Sequence, residues 1–321
     1  MRPDGENAIP SNRLWLLGGA MVWIEPGFSS ISIVVGFLIS TYRSSHRDHE
    51  PKGRQAPPAR IAPVEQTQDY DDNLVMLLEV LWGDGYLSPG GDHETALVLD
   101  GLDLRGKRVL DLGCGTGGCA LFIASEFAPD ELVGVDVEAG VLAKATDNAA
   151  AAGLSDRVSF FVIEAGPLPF PDEGFDVVFS KDSIVHIADK HALAHELFRV
   201  LAPAGVFAAS DWMSGSDAPP SPALLHYQEL EGLGFGLASP DVYFSALRGA
   251  GFEQVSYLDR TAWLAARSHV ELDDLDGRLR PEIEARVGRA FLDHEVEVWQ
   301  ALCAVFDTRE LGAGHWRAIK P

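Results

Sequence analysis

Basic residues are scarce in this chain of 321 residues. Only 25 lysines and arginines stand against 48 aspartates and glutamates, for a formal net charge of −23 at neutral pH and a pI of about 4.7. A surface of that sign repels phosphate backbones and excludes nucleic acid as the expected partner. Its plainest use is a solvated acidic exterior. Cysteine is scarcer still: Cys114, Cys119 and Cys303 have no metal-ligand spacing. An odd, small number of thiols speaks against a disulfide framework and fits a reduced, cytoplasmic protein. No internal repeat is visible, which sets repeat architectures aside. Apolar residues make up 46% of the chain and charged residues 23%, as in an ordinary globular protein with a sizeable core.

Long hydrophobic runs are also lacking, with one exception. Residues 14–39 are largely apolar and long enough to span a bilayer, but Glu25, Pro26 and Gly27 cut the run in two. Acidic residues precede it and no small-residue cleavage site follows, so it makes a poor signal peptide. Two readings stand. In one the run contacts a membrane, and Arg43, Arg47, Lys52, Arg54 and Arg60 behind it hold the rest of the chain in the cytoplasm. In the other, favoured here, it is a poorly packed extension or sequence upstream of the true start. Residues 44–64, rich in Pro, Arg and Ser, read as a linker. The chain is therefore expected to divide into an extension, 1–60, and a folded domain, 61–321.

From Gln66 onward the sequence is patterned. Leu74, Leu77, Leu78 and Leu81 recur at helical spacing and predict an amphipathic helix over 69–82. A turn at 86–91 and a short helix through Leu97 and Leu99 come next. Strands are predicted at 107–112, 131–137, 157–163, 175–180 and 205–211, with helices at 119–127, 138–152 and 191–202 between them. That alternation predicts an α/β fold: a doubly wound, mostly parallel sheet. Beyond Asp211 the pattern predicts two helical segments within 213–250, a strand at 252–259, a long helix at 279–307 and a final strand at 315–320. Segments 66–101 and 213–250 are expected to form a helical cap over the carboxyl edge of the sheet, where such folds bind ligands.

The sharpest motif is VLDLGCGTGG, 109–118. Gly113, Gly115 and Gly117 lie between a buried strand and a helix, where glycine allows a tight turn and close approach to a ligand. Gly113, Gly115 and Gly118 also satisfy the dinucleotide fingerprint. An acid roughly 20 residues on, here Asp136, grips ribose hydroxyls in either case. Three features favour a different cofactor from NAD: Asp111 inside the first strand, Glu164 closing the third, and LAPAGVFAASD at 201–211. The last resembles the corresponding run of class I S-adenosylmethionine-dependent methyltransferases. By that resemblance the three glycines pack against the methionine part of S-adenosyl-L-methionine, Asp136 with Val137 holds the adenosine, and Glu164 meets the adenine. Glu164 departs from the aspartate usual at that position.

The resemblance sharpens in two segments. FSKDSIVHIADKHALAHELFRVLAPAG, 179–205, and DYDDNLVMLLEVLWGDGYLSPGG, 69–91, resemble the corresponding stretches of phosphoethanolamine N-methyltransferases. The likeness covers about residues 66–212, while SPDVYFSALRGAGF, 239–252, is closer to sarcosine/dimethylglycine methyltransferases. It implies that Tyr70 and His186 form a catalytic pair, that Asp182 contacts the amine, and that Ser88 and Lys181 belong to the cofactor site. The chemistry stands independently. A histidine can accept a proton near neutral pH, a carboxylate attracts a cationic amine, and displacement at a sulfonium methyl needs little beyond positioning. His191, His195 and His226 read as surface residues.

The same comparison removes something. The phosphate clamp of those enzymes lies after the fifth strand, where 224–240 here has Glu229 and Glu231 but no Arg or Lys. Arg248, Arg260 and Arg317 are the remaining candidates for a clamp. Aromatics are plentiful instead (Trp82, Tyr86, Trp212, Tyr227, Phe235, Tyr243), and aromatic faces attract methylated ammonium groups. The expected partner is a small-molecule amine. O- or S-methylation of a small metabolite, a non-catalytic S-adenosylmethionine-binding protein and an NAD-dependent oxidoreductase stand as alternatives.

Overall fold

Apolar runs bounded by glycine become the centre of a seven-stranded sheet. The structure, a computed structural model, describes residues 70–321 and two short N-terminal strands, Trp15–Leu17 and Ala20–Val22, which pair antiparallel. The remainder of the apolar run 14–39 and the linker 44–64 lie outside the described residues. The chain divides into two units, Met1–Pro57 and Pro58–Pro321. Among the described residues no helix is long and apolar enough to cross a membrane.

The strands are β1 (Arg108–Leu112), β2 (Glu131–Asp136), β3 (Val158–Val162), β4 (Phe175–Lys181), β5 (Leu201–Ser214), β6 (Glu253–Asp259) and β7 (Leu311–Ile319). Their order is β3-β2-β1-β4-β5-β7-β6, and β7 runs antiparallel to both neighbours while the other pairs are parallel. The central strands are apolar on both faces because helices cover both. Leu110, Val133, Val178 and Phe207 face one side and pack with Leu197 and Leu247. Their neighbours Val109, Leu132, Val177 and Ala208 face the other and pack with Val98 and Ile123. The two-residue alternation of a strand thus divides one apolar run between two cores.

A third apolar cluster builds the cap and meets the sheet through Leu311 and Ala313 of β7. It joins α1 (Asp72–Trp82), α6 (Pro222–Glu231), α8 (Thr261–Asp273), α9 (Arg280–Val287) and α10 (Arg289–Asp307) through Leu77, Leu78, Tyr227, Leu264, Ile283 and Trp299. Asp71 caps α1, its carboxylate accepting from the backbone N–H groups of Asn73 and Leu74 at 2.8 Å. Along α10 the buried positions Leu292, Val296, Trp299 and Cys303 or Phe306 follow helical spacing.

Three expectations need correction here. Of the predicted cap segments, only α1 and α6 belong to the cap. Helix α2 (Gly91–Val98) contributes Val98 to one sheet face, and α7 (Pro240–Ala250) contributes Ala246 and Leu247 to the other. Most of the cap comes instead from 261–307. The helix expected over 279–307 breaks at Gly288, whose φ of 86° suits glycine, and α8 was not expected at all. Finally, β3 ends at Val162, so Glu164 sits in the loop beyond it rather than closing the strand.

Candidate functional site

A cavity of about 670 Å³ opens at the carboxyl edge of the sheet, where β1, β2 and β4 end beneath the loop from α1 to α2. Its size is that of small-molecule sites, which run from ~300 to 1,000 Å³. The glycine motif forms its floor. Gly113 turns at φ 74°, and a Cβ there would lie 1.7 Å from the Ser183 hydroxyl, so only glycine fits. Gly115, at φ 51°, donates its N–H to Asp136 Oδ2 at 3.0 Å. Gly117, at φ 89°, opens α3 (Gly118–Glu126) against Ala145 and Phe160. Asp136 Oδ1 accepts from the Glu138 N–H at 3.1 Å, which aims the carboxylate along the cavity wall. Val137 is 41% exposed, an apolar side chain left open on that wall. Glu164 is exposed and lines the same cavity.

Asp111 is the electrostatic anomaly. It is buried, its Oδ2 has no hydrogen-bond partner among the described residues, and it lines the cavity. Burial, reinforced by the nearby charge of Asp136, pushes its pKa up to about 8. An orphaned carboxylate oxygen facing a cavity is a place for a cationic ligand group. Burial likewise raises Asp136, against the backbone N–H bonds that favour its charged form.

Lys181 and Asp182, at the end of β4, are tied to their surroundings. The Lys181 ammonium donates to Ser88 Oγ at 2.6 Å, the Pro89 carbonyl at 2.7 Å and Asp182 Oδ2 at 2.9 Å. All three donors are used, so Lys181 fastens the 88–89 loop to the sheet rather than offering a free charge to the cavity. Asp182, at φ 54°, also accepts from Ser210 Oγ at 2.8 Å. His186 follows on a short 3₁₀ turn, Ile184–His186. Its Nδ1 lies 2.9 Å from the Gly234 carbonyl, and its ring stacks on Phe235 with centroids 5.7 Å apart. A carbonyl only accepts, so Nδ1 carries the proton and the lone pair is on Nε2. The imidazole is therefore oriented by Gly234 and Phe235.

The turn itself is pinned from below. Lys190 Nζ donates to the carbonyls of Ile184 at 2.7 Å and Ile187 at 2.5 Å, and Asp211 accepts from the Val185 N–H at 2.9 Å. The Tyr243 hydroxyl completes this buried cluster by donating to Asp211.

Behind His186 a smaller chamber of about 60 Å³ continues into the cap, and Tyr70, Ser88, Asp182 and His186 line both spaces. The catalytic candidates are thus brought together at the junction. Of the aromatics singled out, Trp82, Trp212, Tyr227 and Phe235 wall the inner chamber, Tyr86 lines the outer cavity, and Tyr243 stacks on Trp316 in the sheet core. Glu231 reaches the chamber, as do Glu271, Glu295 and Trp299, which sequence reasoning missed. A signal existed: Glu295 falls on the apolar face of α10 among Leu292, Val296 and Trp299. No arginine or lysine among the described residues lines this chamber. Arg260 pairs with Glu94, Arg317 donates to the carbonyls of Asp100 and Val98, and Arg248 lies over Phe244.

Comparison with known proteins agrees with this geometry. Residues 103–230 match a family model described as a methyltransferase domain. Phosphoethanolamine N-methyltransferase 3 of Arabidopsis thaliana is 35% identical over 208 residues, covering 64% of this chain. The chain spans only 41% of that protein's length. The 27-O-demethylrifamycin SV methyltransferase of Amycolatopsis mediterranei is 33% identical over 223 residues, 62% of this chain and 80% of that one. Among solved structures, phosphoethanolamine N-methyltransferase 2 of Haemonchus contortus, in complex with phosphomonomethylethanolamine and S-adenosylhomocysteine, superposes with a TM-score of 0.72 at 25% identity. The match covers 79% of this chain and 59% of that one. With a glycine loop tied to Asp136 and an orphaned carboxylate at the sheet edge, and with relatives of this kind over most of its folded part, the chain belongs to the class I S-adenosylmethionine-dependent methyltransferases.

Proposed function

We propose that this chain methylates the nitrogen of a small, unphosphorylated amine. The observation that carries the reading is the inner chamber: aromatic and acidic, without a cation among the described residues, and open to His186 and Asp182. Gly113, Gly115 and Gly117 would bring the backbone close to the methionine part of S-adenosylmethionine, and Asp111 would receive its ammonium. Asp136 would hold the ribose, with Val137 and Glu164 beside the adenine; Ser88 borders both spaces under the Lys181 clamp. S-adenosylmethionine supplies an electrophilic methyl group on a sulfonium.

The remaining chemistry belongs to the chain. A protonated amine cannot attack, because its lone pair is occupied. His186 Nε2 accepts that proton, and Asp182 steadies the positive charge at the nitrogen before and after the step. Tyr70, at the junction, closes the acceptor over the site, and the cap walls exclude water. Direct displacement then rests on approximation of the two reactants. The free thiols Cys114, Cys119 and Cys303 support a reducing, cytoplasmic setting.

A second reading, methylation of a hydroxyl, is supported by the rifamycin-type relative, whose name places its reaction on oxygen. Release of S-adenosylhomocysteine by the purified protein separates the readings. Ethanolamine is expected to turn over well ahead of phosphoethanolamine. A preference for the phosphorylated member would remove the unphosphorylated claim, and release with hydroxyl acceptors alone would establish the second reading.

A further inference from the structure

The inner chamber ends on a carboxylate that the proposed methyl transfer does not use. Glu295 of α10 is 7% exposed, lines the chamber, and makes no hydrogen bond or ion pair among the described residues. Burying a carboxylate without a partner costs several kcal/mol unless it stays protonated or a ligand supplies the partner. Glu231, at the end of α6, lines the same chamber and has the Tyr227 hydroxyl as its polar neighbour. The third glutamate there, Glu271 of α8, is different: it accepts the indole N–H groups of Trp82 at 2.7 Å and Trp299 at 3.2 Å, and Arg267 neutralises it at 2.8 Å. Its work is to hold two tryptophans, 6.2 Å apart, as a fixed wall. Glu231 and Glu295 remain, beside aromatic surface, with no cation among the described residues that line the chamber.

We infer that Glu231 and Glu295 bind a second protonated nitrogen at the far end of the acceptor, so that the substrate class is a short diamine. This rests on the amine reading above and deepens it. The chamber volume, about 60 Å³, is about twice the roughly 30 Å³ share of one water in the liquid, room for an ammonium and its first methylenes. The reacting nitrogen would then lie at the junction, by Asp182 and His186, and the carbon chain between aromatic walls.

The protonation states agree. Burial, with the charges of Glu231 and then Asp71, pushes Glu295 up to about 8, and burial pushes Glu231 up to about 7 against the Tyr227 hydrogen bond. Asp71, Glu231, the Arg267-paired Glu271 and the Tyr227 hydroxyl face Glu295, and Asp182 and His186 line the same chamber. An ammonium entering beside these raised carboxyls would displace a proton.

The test is calorimetry on the full chain saturated with S-adenosylhomocysteine, with 1,3-diaminopropane against propylamine, and turnover of both with S-adenosylmethionine. The diamine is expected to bind at least about tenfold more tightly, the scale of a charge-assisted hydrogen bond. Near pH 7 its binding should release protons, seen as a heat that changes with the ionisation enthalpy of the buffer. Glu295→Gln should collapse the ratio between the two ligands. Equal affinities in the unaltered protein, with both amines methylated, would overturn this inference and leave the amine reading standing. Turnover of neither amine overturns the diamine inference, and the ethanolamine assay then decides the amine reading separately. A diamine preference that survives in both Glu295→Gln and Glu231→Gln also overturns it.

Discussion

His186 sits on a three-residue turn, yet its ring has little freedom. The Gly234 carbonyl accepts from Nδ1–H, Phe235 stacks on one face, and Tyr227 stacks on Phe235 with centroids 5.8 Å apart. A base held this way has its lone pair aimed before the acceptor arrives. Replacing His186 with Ala is expected to lower turnover by about 10²–10⁴-fold, the usual worth of a positioned base. Cofactor affinity should hold, because Asp136 and the glycine loop lie on other strands. Near-normal turnover in His186→Ala would end the role of base. By contrast Asp136→Ala should weaken S-adenosylmethionine binding by about 1–3 kcal/mol, the scale of charge-assisted hydrogen bonds, as calorimetry would read.

At the scale of elements, the site depends on one close contact between a helix start and a loop. The Gly118 N–H donates to the Gly85 carbonyl at 2.8 Å, and the Gly85 N–H donates to Glu79 of α1 at 3.0 Å. The opening of α3 therefore sets where the α1–α2 loop lies, and with it Ser88. A Cβ on Gly118 would come 2.4 Å from that carbonyl oxygen, which belongs to backbone and cannot rotate aside. Gly118→Ala should cost about 1–3 kcal/mol of stability, as overpacking does, and should lower turnover by displacing Ser88 and the Lys181 contact. Thermal melts and kinetics on the same preparation would check this. A stable, fully active variant would show that the loop does not need the contact. The dinucleotide-like third glycine of the motif thus has a packing reason in this chain, independent of any nucleotide.

For the whole molecule, buried acids set the response to pH. Asp111 and Glu295 are raised to about 8 and Glu231 to about 7, each chiefly by burial, which also raises Asp211. Unfolding returns them to ordinary carboxyl values near 4, so between about pH 4 and 8 the unfolded chain holds fewer protons than the native one. Stability from these groups is therefore full below that window and is lost as pH rises through the native values. The empty enzyme should melt at progressively lower temperature from about pH 5 to 8. Glu295→Gln should flatten the trend and raise Tm at pH 8, where about 1 kcal/mol is worth roughly 2–4 °C. Stability gained by removing a binding residue is a familiar trade. Deleting residues 1–60 should leave a folded, active protein, since the apolar clusters among the described residues all draw on positions from 70 onward. Loss of solubility on truncation would make the extension part of the fold.

The sheet and the cofactor loop were legible in the linear chain because their signals are local. Two-residue alternation splits Val109 from Leu110 and Val177 from Val178, and glycines mark where the chain must turn at positive φ. Resemblance singled out Tyr70, Asp182 and His186, which the fold brings to one junction, and 224–240 lacks Arg and Lys. The inner chamber was not legible. Its wall joins Trp82 to Trp299, 217 positions apart, through a glutamate on a helix the pattern did not reveal. Which carboxylates keep a proton, which tryptophans stand as wall, and which acids are left without a partner depend on what the fold places around them. Desolvation and long-range contact are properties of the packed chain, and no window of neighbouring residues contains them.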